Sequence, residues 1–68
     1  MIEDLTSRFT YHAPKEGQSK KYEKIRGVAR VLAEEIDLTC CDSREKSIAI
    51  TKIEEAVFWA NASIARNE

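Results

Sequence analysis

The residues of this chain best able to do chemistry are aromatics interleaved with cations. Phe9, Tyr11, His12 and Lys15 fall in one short segment, and Lys20, Lys21, Tyr22, Lys24, Arg26 and Arg30 follow closely. Aromatic faces stack on planar rings, while guanidinium and ammonium groups form charge-assisted hydrogen bonds to phosphate oxygens. The mixture therefore suits a ligand that carries both a base and a phosphate. Arg26 and Arg30, four residues apart, share one face of a helix. Gly27 sits between them despite a helix-interior cost of about 1 kcal/mol relative to alanine, which suggests close approach of another backbone or of a ligand. The ordinary reading stands beside this one: packed aromatics, solvated charges and a tolerated glycine.

Nothing comparable points to catalysis. Work at neutral pH needs a base, a nucleophile and an orienting group, and the single histidine, His12, has no partner identifiable in the sequence. Glu34 and Glu35, like Glu54 and Glu55, read as solvated helix faces with i to i+4 partners such as Arg30 to Glu34. The only cysteines, Cys40 and Cys41, are adjacent. They would close only a strained ring, and with one histidine they supply no zinc-type ligand set. The expectation is a protein that is not an enzyme and uses neither metal nor cofactor. Two reduced thiols suit the cytosol.

Two long helical patterns must position these groups. From Ser43 to Asn67, the residues Ile50, Ile53, Val57, Ala60 and Ile64 recur at alternating intervals of three and four, the period of a helix seam. Ile48, Ala49, Ala56, Phe58, Trp59 and Ala62 lie off that seam, so the apolar surface extends beyond the usual stripe of roughly 100°. A second helix is predicted over residues 18–38 with the seam Tyr22, Ile25, Ala29, Leu32 and Ile36, and with Ser19 as a candidate N-cap. The TCCD stretch between them is short enough to make the two helices antiparallel neighbours. Asp42 and Glu45 resemble a capping box that starts the third helix over 43–67. Residues 1–17 form an arm, with a short helix possible over Ile2 to Arg8. Glu3 and Asp4 there suit the helix dipole, and Pro14 and Gly17 interrupt before the next element. The expected fold is all-α, a single domain over 1–68 made of a short N-terminal helix or arm and an antiparallel two-helix hairpin.

At 68 residues such a hairpin has one seam, and ordering the chain costs roughly 1.5 kcal/mol per residue, which one seam does not obviously offset. Trp59 and Phe58 are then better placed at a subunit interface than in water, unless the arm folds over them. Charged residues are 34% of the chain and nearly cancel to a net −1, which disfavours a uniform grip on a nucleic-acid polymer. No run approaches the roughly 20 apolar residues of a membrane span, and MIEDLTSR is acidic where a secretory signal is basic. The chain reads as soluble and intracellular.

YHAPKEGQ, then a Tyr-led basic helix, then DSREKSIAITKIEEAVFWANASIARN together resemble a family of small phage proteins, the anti-CBASS sponges. These are related through their helical hairpin to the Thoeris-inhibiting sponges. The likeness covers nearly the whole chain and is most specific in the SREKS, ITK.EEAV and WANA.IARN blocks. It implies a homo-oligomer, typically a homohexamer, that acts in the cytoplasm of the infected bacterial host. Such an assembly binds cyclic dinucleotides such as cGAMP between protomers, and in some members cyclic trinucleotides at separate sites, without cleaving them. Carried onto this sequence, the resemblance implies that Tyr11, in the YH motif beside His12, stacks on a base and that Arg26 meets a phosphate. Lys24 is the alternative for that cation, and Arg66 is the candidate for a trinucleotide-type site, although a cation at a helix C-terminus also has a dipole explanation. A competing reading is a helical interaction module that docks on a protein partner through its Trp59 face.

Overall fold

The computed structural model describes residues 2–68, with side chains from residue 5 onward. Three helices follow in order: α1 (Ile2–Phe9), α2 (Gln18–Thr39) and α3 (Arg44–Asn67). No strand occurs among the described residues. The two long helices pack on each other as a hairpin, and α1 touches the rest only weakly. The side chains of Ile2, Glu3 and Asp4, expected to shape the first turn of α1, lie outside the described residues.

Each helix end has a local cause, and two of them differ from the sequence expectation. α2 is preceded not by a serine cap at Ser19 but by Gly17 at φ 83° and ψ −14°, with no side-chain cap. These angles suit the third position of a type II turn, where only glycine adopts positive φ without strain. The turn is closed by the Gln18 N–H donating to the Lys15 carbonyl at 3.0 Å. At the other end, the α3 N-cap is Ser43 in extended backbone, whose Oγ accepts from the Lys46 N–H at 3.1 Å. Asp42, expected to begin a capping box, is engaged instead by the Lys46 ammonium at 3.0 Å.

The seam on α3 is as expected, with Ile64 buried and Ile50, Ile53, Val57 and Ala60 half-buried. On α2, Tyr22, Ile25, Ala29 and Ile36 face the partner helix, but Leu32 is half exposed and Ala33 is the more covered of the two. Leu32 stands at the edge of the seam and walls an apolar groove with Val28, Ala56 and Ala60 on one face of the hairpin. A second apolar groove opens on the opposite face, between Ala33 and Arg30 of α2 and Ile50 and Phe58 of α3. Ala29 borders both. Two helices make a slab with two broad faces, and here both are apolar.

The hairpin alone buries little. Among the described residues only Ile64 and Gln18 are buried, while Phe58, Trp59, Val28 and Val31 are mostly exposed. The arm does not fold over Phe58 and Trp59. The accessible surface is 5804 Å², against about 4,400 Å² expected of a folded monomer of this mass. The radius of gyration of 15.1 Å likewise exceeds the roughly 11 Å of a compact domain of this length. The slab measures 45 × 28 × 12 Å, and no side chain among the described residues is fully enclosed within it.

Candidate functional site

The N-terminal arm returns along the open end of the hairpin, and its course is set by side chains rather than by regular backbone pairing. Thr10 Oγ donates to the Thr6 carbonyl, and His12 Nε2 donates to the Ser7 carbonyl at 2.8 Å. Both contacts tie the residues that follow α1 back to carbonyls of its last turn. The chain leaves α1 there with the Tyr11 ring outward, 82% exposed.

From that point the arm, α2 and α3 border a wide-open groove of about 570 Å³. Tyr11 and His12 line it from the arm, Tyr22 and Arg26 from α2, and Phe58, Asn61 and Arg66 from α3. Neither Arg26 nor Arg66 has a hydrogen-bond or ion-pair partner among the described residues. Their charges are therefore uncommitted, in contrast to Arg30, whose Nε donates to Glu34 at 3.1 Å as the i to i+4 spacing predicts. Three aromatic rings with two unpartnered guanidiniums can stack on a base and bind a phosphate bidentately in the same groove. Asn61 adds a buried Oδ1 that has no partner among the described residues.

A neighbouring cleft lies between Phe9 of the arm and Trp59 of α3, with Arg8, Arg66 and Asn67 around it. Arg66 therefore borders both openings. The family model of the Acb2/Tad1 hairpin domain matches residues 1–65. The chain belongs to the Acb2/Tad1 hairpin family. That family is the anti-CBASS sponge group, and its role in anti-phage defence is that of a sponge. No curated protein and no solved structure gave a match.

Of the residues singled out in the sequence, the hairpin brings Tyr11, His12, Arg26 and Arg66 to one groove. Lys24 is not with them. It lies two positions, roughly 200°, round α2 from Tyr22, and it lines none of the grooves described. His12 lines the groove with its Nε2 already committed to Ser7. Gly27 is not approached by any other element among the described residues, since a Cβ there would meet none of their atoms within 4 Å.

Two residues of this end carry no sequence signal strong enough to single them out. Asn61 looks like one polar position in an apolar helix. Gln18 looks like an ordinary first residue of a helix, yet it is only 4% exposed. Its Oε1 accepts from the Lys15 N–H at 2.8 Å, and its Nε2 donates to the Ile64 carbonyl at 3.1 Å. Lys15 Nζ donates to the Glu68 carbonyl at 2.7 Å, and Lys21 pairs with the Glu68 carboxylate. Among the described residues, no group of His, Cys, Asp and Glu is arranged to hold a metal ion. No helix there is long and apolar enough to cross a membrane.

Proposed function

We propose that this protein binds cyclic di- and trinucleotide messengers of CBASS immunity and withholds them intact, acting in the cytoplasm of the infected bacterial host. The observation that carries the reading is the groove in which Tyr11 and Tyr22 stand beside the unpartnered Arg26 and Arg66. Tyr11 stacks on a base, and Arg26 holds a phosphate by paired N–H donors, a geometry that lysine does not offer. His12 borders the same ligand. Arg66 serves a trinucleotide or a second ligand, since it reaches both openings. Lys24 has no part in the site proposed. No bond is broken, so neither metal nor cofactor is required. Capacity comes from abundance and affinity, by mass action.

The unit that works is a homo-oligomer, a homohexamer by family resemblance. Supporting this, the single chain exposes about 1,400 Å² more than a folded monomer of its mass, with apolar grooves on both faces. The direct test is calorimetry against a panel of cyclic di- and trinucleotides, with stoichiometry per protomer, followed by heat denaturation and analysis of the released ligand. Binding with recovery of intact cyclic nucleotide is expected. Recovery of linear product would replace sequestration by hydrolysis. No heat with any ligand would favour the interaction module that docks through its Trp59 face.

A further inference from the structure

We propose that Gln18 is the positioning residue of the groove, a buried latch that holds the Tyr11 arm against the last turn of α3. This inference rests on the binding function proposed above for its functional consequence, but the latch itself does not depend on a ligand.

The geometry is that of a two-ended clamp. The Gln18 amide uses both ends, accepting from the Lys15 backbone on the arm and donating to the Ile64 carbonyl on α3. Gln18 begins α2, so one side chain joins all three parts of the chain that line the groove. It is the only polar residue buried among those described, where an unmade hydrogen bond is most costly. The ties from Lys15 and Lys21 to Glu68 at this end are exposed and correspondingly weak. Ile64 is the one buried apolar residue among those described, so the latch is fastened to the most enclosed point of the hairpin. It lies two residues before Arg66 and four after Ala60, on the helix that also carries Phe58 and Asn61 into the groove.

The arm has no regular secondary structure between Thr10 and Lys15, and α1 is too short to be stable alone. Without the latch, Tyr11 and His12 would have to be ordered when a ligand arrives, and that ordering subtracts from affinity. The residue acts through Tyr11, not by touching the ligand.

The test starts without ligand, comparing amide hydrogen exchange of the wild-type protein with Gln18→Leu, which keeps volume but makes neither hydrogen bond. The expected result is faster exchange at the Lys15 amide, which loses its acceptor, with the interior amides of α2 and α3 unchanged. Equal exchange at Lys15 overturns the latch. If Gln18→Leu loses its helical circular dichroism, Gln18→Glu serves instead. It turns the donor toward the Ile64 carbonyl into an acceptor and so detaches the turn from α3; faster exchange at Lys15 and Gln18, whose amides close that turn, is expected, and wild-type exchange at both overturns the proposal.

The functional half is a double-mutant cycle measured with a cyclic dinucleotide. Gln18→Leu is expected to weaken binding roughly tenfold in the wild-type background and less than about threefold in Tyr11→Ala, because the arm has then lost its stacking ring. Equal losses in both backgrounds would make Gln18 merely structural. A wild-type protein that binds no cyclic nucleotide would remove the functional reading, while the exchange experiment would still decide the latch.

Discussion

The two ends of the hairpin treat charge in opposite ways. At the loop end Lys46 is enclosed by its partners: Nζ stands 2.8 Å from Asp37 Oδ1, 3.0 Å from Asp42 Oδ1 and 2.9 Å from the Asp37 carbonyl. Its side chain is only 9% exposed. The hydrogen bond to Asp37 raises its pKa above the ordinary value, with Asp42 adding to the effect. At the open end Arg26 and Arg66 stand beside exposed aromatic rings without any such partner among the described residues. A cation whose charge is answered within the chain closes a loop. A cation left unanswered beside aromatic rings is available to an anion from outside.

The largest break in the comparison should come from the open end. Tyr11→Ala and Arg26→Ala are each expected to weaken cyclic dinucleotide binding about tenfold or more, from lost stacking and a lost charge-assisted pair. Calorimetry is the measurement, with light scattering to show an unchanged assembly. Lys24→Ala, outside the groove, is expected to change affinity less than about twofold. A larger effect there would move the phosphate contact to the other side of α2.

Trp59→Ala tests whether the exposed rim beside the groove is covered by a second copy. A tryptophan at the centre of an interface commonly contributes about 2 kcal/mol or more, so light scattering is expected to detect smaller species at concentrations where the wild type is assembled. A wild-type protein that scatters as a monomer would remove the association argument altogether.

The loop end should respond to pH and not to ligand. Lys46 has a folded-state pKa above its ordinary 10.5, so its contribution to stability is complete below that value and is lost as pH rises through the higher folded one. Thermal melts of the wild type are expected to weaken above about pH 10.5, and Lys46→Met to lose that part of the dependence. Ligand affinity of Lys46→Met at neutral pH should match the wild type. Parallel pH curves for the two proteins would show that the loop charges contribute nothing.

The smallest effect is expected at Gly27. With open space where a Cβ would stand, Gly27→Ala should stabilise α2 by up to about 1 kcal/mol, seen as a higher melting temperature. A loss of assembly instead would place a second chain's backbone against that position.

Much of the fold can be read from periodicity because a helix repeats its partner contacts at short, regular intervals. Ile50, Ile53, Val57, Ala60 and Ile64 are legible for this reason, as is the Arg30–Glu34 pair. Leu32 is not, since at the edge of the α2 seam its angular position fits the pattern while its bulk projects past the partner helix. The α3 cap escapes sequence reasoning because adjacent residues are chemically eligible. Asp42 and Ser43 can both cap a helix, and only the position of Lys46 decides which oxygen meets a backbone amide and which meets an ammonium. The candidate site is legible as residue types, through Tyr11, His12, Arg26 and Arg66. Its exclusion of Lys24 is not, and neither is Gln18, whose two partners are 3 and 46 residues away.

By itself, then, the sequence determined two long amphipathic helices, a short loop that pairs them, an aromatic and basic arm, and more apolar surface than one hairpin can cover. Local period and composition suffice for each of these. Only the tertiary structure decided which cations are answered by carboxylates, which face of α2 meets the arm, and that a glutamine fastens the arm to α3. Those outcomes depend on the approach of side chains distant in sequence, and on whether burial leaves a polar group any partner but the one the fold provides.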